Sequence, residues 1–469
     1  MERFALQDLV QSTGGRLRDV ELADARFSRI STDSREIEPG DIFWALKGEH
    51  QHGHDFVSQA REKQARLSIV ATSHADAVAG PVLIVDDTLA ALGQFAKWHR
   101  NQLDPLVIGV TGSVGKTTTR ELIFAALNGP FSGIRSRKNF NNLIGLPLSL
   151  LDLEPSHEFA VMEMGASAQG DIEQLCHIAL PEIGVITAIG PAHLQSFGTL
   201  DQIIKTKGEL LEQLPSTGFA VIPGDDDVLR NMSGRAGCPV IFVGQHEHNP
   251  IRATEIHADP DGLRFYCQGH QFTLQINGRH LIPNVLCAIA IGLELGIPIE
   301  RLAEGLSQFV PAAGRGKRVQ IGSWTIVDDT YNASPLSVAA SCRMLRELPL
   351  TAQGQRLLIL GDMRELGETA VMEHERIGKL AAELQIDRLL VCGEFANDLA
   401  RGANQNGMQS HQIAAAPDLE TLLAVLDCWL EPDDLLLIKG SRSTRMERVL
   451  DWLKIRAESL EPQPATSDV

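Results

Sequence analysis

The sequence has no C-x-x-C pair. Its seven cysteines, Cys176, Cys238, Cys267, Cys287, Cys342, Cys392 and Cys428, are scattered and odd in number. Neither a disulfide framework nor a zinc cage is indicated, and a reducing cytoplasm is the simplest setting. Basic residues are also short: 42 Lys and Arg against 60 Asp and Glu leave a formal net charge of -18. Phosphate backbones are held mainly by Lys and Arg, so this balance argues against a general nucleic-acid coat, and any anionic ligand must meet a local positive site. No apolar run reaches the ~18 residues needed to span a bilayer. The start, MERFALQDLV, lacks the basic and apolar regions of a signal peptide. A soluble, unprocessed protein without membrane insertion is expected. There are no internal repeats and no extended low-complexity segments.

What is present is a folding composition. Apolar residues make up 43% and charged residues 22%, which is ordinary for a globular protein. A chain of 469 residues exceeds one hydrophobic core, and three α/β domains are expected. In residues 1–102, short β-type runs (Asp41 to Ala45, Leu67 to Ala71, Val82 to Val85) alternate with helical segments (Asp55 to Lys63, Leu89 to Arg100), giving a small α/β domain. NQLDP (Asn101 to Pro105) reads as the first linker. In residues 103–313 the apolar runs LVIGV, FAVMEM, IGVITAI, FAVI and PVIFV predict a buried, mostly parallel sheet with helices on its faces. Ile251 to Ile276 alternates polar and apolar residues, as an antiparallel addition would, and a helix follows from Asn284. After the glycine-rich, basic VPAAGRGKRV, residues 314–469 alternate strand and helix in a Rossmann-like pattern, with Ser334 and Pro335 as N-cap and first turn of one helix. No G-x-G-x-x-G follows its first strand, so a dinucleotide is not supported. The tail EPQPATSDV is expected to be disordered.

The stretch VTGSVGKTTT (Val110 to Thr119) follows the apolar run LVIGV and opens a helix. Gly112 and Gly115 would let backbone N–H groups face phosphate oxygens, Lys116 would reach the terminal phosphates, and the Thr117 hydroxyl would ligate Mg²⁺. The general pattern G-x-x-x-x-G-K-[ST] asks for glycine where Val110 stands. Other motifs are open on chemistry alone. The asparagines of KNFNNLIG read as turns and caps. Glu163, ending a buried strand, fits a Mg²⁺ ligand or an ion pair equally. His193 reads as a structural histidine and Lys207, in IIKTKGELL, as a solvated helix lysine. The acids of DDTYNASP lie at a strand end where α/β ligand sites gather, and KGSRSTRME fits an anion site or an exposed helix start.

Taken together and in order, from ISTDSREIEPGDIFWALKGE to KGSRSTRME, these motifs resemble the ATP-dependent Mur ligases of peptidoglycan precursor synthesis. The family's TGSxGKT loop accounts for Val110. KNFNNLIG, EMGA, DDTYNASP and GDMRELG are similar to the member that joins D-alanyl-D-alanine (D-Ala-D-Ala) to UDP-MurNAc-tripeptide, and DYAHTPD and DNPR of the tripeptide-forming rival are absent. One departure is Ser334, where asparagine is common. The resemblance implies a three-domain fold: a UDP-sugar domain, a P-loop-type ATPase domain and a Rossmann-like ligase domain. It implies ATP, two Mg²⁺ ions, and an acyl phosphate made from the tripeptide carboxylate. By the same resemblance, Gly112, Ser113, Gly115, Lys116, Thr117 and Thr118 hold ATP, and Thr117, Glu163 and His193 hold metal. Lys207 would carry a CO₂-derived carbamate that stabilises the metal site. Asn142 would lie near the Mg²⁺ and phosphates, Asn284 at adenine, and Asp329 at the nucleotide; Arg315 or Arg318 would reach the γ-phosphate. Ser34, Arg35 and Lys47 would meet the UDP-sugar, and Lys439, Ser441 and Arg442 the peptide end. The implied protein is a cytoplasmic monomer. A sister ligase, or a nucleotide-dependent switch that makes no product, is the alternative.

Overall fold

The computed structural model describes residues 4–20, 25–27, 29–48, 51–191, 194–259 and 262–460. The tail expected to be disordered, Glu461 to Val469, lies outside them. All seven cysteines are free thiols, five of them buried. The chain divides into two compact units. One comprises residues 1–109, 134–164 and 173–181; the other comprises 110–133, 165–172 and 182–469.

The first unit holds a five-stranded sheet. Its order is Arg16–Arg18, Val82–Val85, Leu67–Ala71, Ile42–Trp44, Ile30–Ser31. The last four strands pair in parallel, and the first is antiparallel. Ile37, Phe43, Val57, Val70 and Ile84 pack one core of this unit. Helix Thr88–Leu103 is capped by Asp87, whose carboxylate accepts from Leu89 N and Ala90 N. It runs through three residues of the expected NQLDP linker. It stops where Asp104 turns left-handed (φ 47°) ahead of Pro105, whose ring disfavours helix in the residue before it.

In the second unit six strands lie side by side: Ile183–Ile186, Phe219–Pro223, Val240–Gly244, Ile251–Asp259, Gly262–Cys267 and His270–Leu274. The first four pair in parallel and the last two add antiparallel. The near-continuous apolar runs are parallel strands, which need both faces covered; of the alternating segment expected to be antiparallel, Ile251–Asp259 instead joins the sheet in parallel, and only Gly262–Cys267 and His270–Leu274 add antiparallel. A second sheet orders Lys317–Ile321, Trp324–Asp329, Leu435–Lys439, Arg356–Gly361, Arg388–Cys392 and Ile413–Ala416. Only its first strand is antiparallel. Two apolar cores flank it, one around Val338, Leu345 and Ile377, the other around Leu422, Val449 and Leu453. Helix Pro335–Glu347 begins as expected, with Ser334 Oγ accepting from Ser337 N. The final helix, Glu447–Leu460, starts only after a 3₁₀ turn and Arg445, which turns left-handed (φ 52°). Among the described residues no helix is long and apolar enough to cross a membrane.

Candidate functional site

The strand Leu106–Thr111 runs into a loop built for close backbone approach. Gly112 (φ 148°) and Gly115 (φ 86°) occupy the left-handed region, which L side chains rarely tolerate. A Cβ on Gly112 would stand 2.1 Å from Thr187 Oγ1, and one on Gly115 2.6 Å from Asn284 Nδ2. Ser113 anchors the turn: its N–H donates to Ala188 O (2.7 Å) and its hydroxyl to Gly190 O (2.9 Å). Thr187 Oγ1 donates to Val114 O. Helix Lys116–Leu127 follows with Gly115 as its N-cap residue, so its first N–H groups and positive dipole end face the loop. Lys116 Nζ donates to Gly112 O (2.8 Å). Thr117 is buried and Thr118 half-buried. Buried Asn284, on helix Ile282–Glu294, donates from Nδ2 to Thr119 Oγ1 at 2.7 Å. It therefore packs directly against the loop helix.

Lys207 overturns the reading of it as a solvated lysine: it is 3% exposed. It lies on helix Leu200–Gln213, where Thr199 Oγ1 caps by accepting from Gln202 N, and its Nζ stands 5.7 Å from the Phe197 ring centroid. Burial, followed by the positive charge of Lys116, pulls its pKa down to about 7, against the opposing pull of Asp171 and Glu209. Taking an ammonium out of water disfavours its charged form. Glu209 is itself buried and accepts from Gly170 N at 2.8 Å. The spacing of IIKTKGELL marks a helix, but only packing shows which lysine turns inward.

In the first unit, Glu163 ends strand Phe159–Glu163 and is 2% exposed. Its Oε1 accepts from Asn141 Nδ2 (2.8 Å) and its N–H donates to Ser136 Oγ (2.9 Å). Asn142 is exposed, and its Oδ1 accepts from Gly145 N and Ile144 N in the turn that leads into the short helix Gly145–Leu150. The structure thus pairs Asn141, which the sequence reading passed over, with the buried carboxylate. Nothing in KNFNN distinguishes the neighbours except which one faces the strand. His193 lies outside the described residues. Ser34 is buried, donating from Oγ to Gln59 Oε1 (2.6 Å). Arg35 is exposed and forks onto Asp33, whose carboxylate raises the guanidinium pKa. Lys47 is exposed, in a β-bridge with His52.

At the carboxyl ends of the second sheet, Asp329 and Lys439 face each other across parallel strands. Lys439 Nζ and Asp329 Oδ2 are 2.6 Å apart, and Ser341 Oγ donates to the same oxygen. Two residues assigned to different ligands are one ion pair. Ser441 is buried and accepts from Arg364 N at 2.8 Å, whereas Arg442 is exposed beside Glu447. The Arg315 guanidinium stacks 3.9 Å over the Tyr331 ring, and Arg318 is exposed on strand Lys317–Ile321.

A strand–glycine loop–helix with lysine and threonine at its head, beside a buried low-pKa lysine in an α/β unit, has the form of a nucleotide-using group-transfer enzyme. Three family models match in order: Mur ligase family, catalytic domain (26–100), Mur ligase middle domain (110–292) and Mur ligase, glutamate ligase domain (314–442). The chain belongs to the Mur ligase family. Within it, the chain is 33% identical to the UDP-N-acetylmuramoyl-tripeptide--D-alanyl-D-alanine ligase of Bacillus subtilis (strain 168), over 96% of this chain and 98% of that one. It superposes on MurF from Acinetobacter baumannii with a TM-score of 0.89 and 32% identity, covering 97% and 99% of the two chains. Against the Thermotoga maritima MurF ligase in complex with ADP the TM-score is 0.81 with 29% identity, covering 92% and 98%.

Proposed function

We propose that this protein is an ATP-dependent, ADP-forming ligase that adds D-Ala-D-Ala to UDP-MurNAc-tripeptide, giving the pentapeptide precursor of peptidoglycan, ADP and phosphate. The observation that carries this is near-full-length likeness to ligases of that name, and the left-handed glycines 112 and 115 ahead of helix Lys116–Leu127 support it. A carboxylate is a poor acyl donor in water. The tripeptide carboxylate attacks the γ-phosphate of ATP, and the free amine of D-Ala-D-Ala then attacks the acyl phosphate, releasing phosphate. Positioning and charge neutralisation supply most of the rate.

In this reading, residues 1–102 bind the UDP-sugar through Ser34, Arg35 and Lys47, 103–313 bind ATP, and 314–469 form the ligase domain. Gly112, Ser113, Gly115, Lys116, Thr117 and Thr118 cradle the phosphates, with Asn142 near them, Asn284 at adenine and Asp329 at the nucleotide. Arg315 reaches the γ-phosphate; its partner in the basic run, Arg318, is the alternative. Lys439, Ser441 and Arg442 face the peptide end, where Lys439 acts through its ion pair with Asp329. The buried Thr117 hydroxyl and Glu163 carboxylate are hard oxygen donors of the kind Mg²⁺ takes, and His193 belongs to the same set. Two Mg²⁺ ions would supply charge neutralisation at the phosphates. Lys207, with its pKa pulled to about 7, holds a substantial neutral-amine fraction near neutral pH, as capture of CO₂ to form a carbamate requires. The protein is taken to act as a cytoplasmic monomer.

Phosphate release from MgATP and UDP-MurNAc-tripeptide tests the reading, with D-Ala-D-Ala, meso-diaminopimelate, lysine and D-glutamate compared as acceptors. Turnover with D-Ala-D-Ala alone is expected. Turnover only with a single amino acid and its shorter UDP precursor moves the protein to a sister ligase, and no turnover with any acceptor restores the switch.

A further inference from the structure

Away from the phosphate loop, two neighbouring parallel strands, Phe219–Pro223 and Val240–Gly244, end in loops that meet. The first loop carries Asp225, the second His246 and His248. One ligand-capable atom from each of the three lies within 4.8 Å of the other two. We infer that Asp225, His246 and His248 form a binding site for a zinc-class divalent cation, separate from the ligase chemistry.

The loops are built to hold these groups. Asp225 is fixed by its own acceptors: Oδ2 takes Gln245 N (2.6 Å), and Oδ1 takes His246 N (3.1 Å) and Asn249 Nδ2 (2.5 Å). Asn249 is 3% exposed and receives Arg230 Nη2 on its Oδ1. Gly244 is required beside them, since a Cβ there would stand 2.4 Å from both Asn249 Nδ2 and Asp225 Oδ1. His248 Nε2 lies 3.0 Å from Gly224 O. A carbonyl only accepts, so Nε2 carries the proton and Nδ1 keeps its lone pair. An imidazole oriented by a backbone carbonyl in this way is the usual support of a metal-ligating histidine. His246 Nδ1 stands 3.4 Å from Asp225 Oδ1. Oδ1 already accepts two donors, so the lone pair left for an ion is on Oδ2, which accepts only from Gln245 N. Two imidazoles and one carboxylate favour zinc and its neighbours over Mg²⁺, which prefers an all-oxygen shell. Three protein ligands leave the fourth position to water.

The other histidine group, His52, His54 and His74, lacks this freedom. His54 Nε2 accepts from Ala71 N, which puts its proton on Nδ1, 3.1 Å from His52 Nδ1. Both nitrogens of the buried ring are committed, so it cannot ligate without losing the amide bond.

The test uses the full-length protein stripped with a chelator and titrated with ZnCl₂ by calorimetry in excess MgCl₂, with CoCl₂ as an optical probe. Wild type is expected to bind one zinc, to show the visible bands of low-coordinate Co²⁺, and to gain thermal stability on loading. The exposed pair His246→Ala/His248→Ala should weaken binding at least ~10–100-fold and lose both the bands and the stability gain. His52→Ala/His74→Ala should change none of these. Absence of binding to wild type, or binding retained by the His246/His248 variant, overturns the site. Ligase turnover enters none of these readouts, so the outcome stands apart from the proposed function.

Discussion

Lys207 shows how far one residue's chemistry depends on where the fold puts it. Its folded pKa, about 7, lies below the ordinary 10.5, so between those values the unfolded chain binds the extra proton. Its contribution to stability therefore rises with pH across that window, by at most roughly 1.4 kcal/mol per pH unit. Urea melts at pH 7 and pH 9 should show this slope in wild type and not in Lys207→Met. The same group should be needed for turnover. Lys207→Ala is expected to lose phosphate release, with partial recovery in added bicarbonate or acetate; undiminished release with no response to either removes the carbamate role. Asn141 is the residue the sequence reading missed. Asn141→Ala deletes the hydrogen bond that orients Glu163 and should weaken Mg²⁺-dependent activity ~10–100-fold while leaving the melting temperature within a few degrees of wild type. An equal loss in both would mark Asn141 as structural support only.

Elements translate sequence signals most directly where the signal is local. The Ser334–Pro335 pair starts a helix because the serine hydroxyl satisfies an orphan N–H and proline lacks one. Ser334→Ala should cost ~1 kcal/mol, read as a lower urea midpoint at unchanged slope. The phosphate loop is equally local in origin: glycines at 112 and 115 supply left-handed backbone ahead of the helix. What blocks substitution there is tertiary, because Thr187 and Asn284 occupy the space a side chain would need. Gly112→Ala should destabilise by roughly 1–3 kcal/mol and abolish nucleotide binding measured by calorimetry. Near-wild-type binding would mean the loop relaxes freely. Element ends are less local: the helix end at Leu103 and the helix start at Glu447 both turn on a single left-handed residue, Asp104 or Arg445, which ordinary composition does not announce.

For the whole molecule, a ligase that makes an acyl phosphate must keep water from it, so residues 314–469 are expected to close over the nucleotide-binding region once its ligands are bound. Gly314 and Gly316, both at positive φ, lie in the basic run between those two regions. X-ray scattering should show a smaller radius of gyration with a non-hydrolysable ATP analogue and the UDP-sugar together than with neither, and an unchanged radius would count against closure. By itself the sequence determined the α/β class, the order of strands and helices, the phosphate loop and the family resemblance, because periodicity, turn residues and contiguous motifs are local properties written along the chain. Only the tertiary structure decided that Lys207 is buried, that Asn141 rather than Asn142 holds Glu163, that Asp329 and Lys439 form one ion pair, and that Asp225 meets His246 and His248. Each of those is a long-range choice of which face turns inward and which strands lie side by side, and burial, not spacing, sets its chemistry.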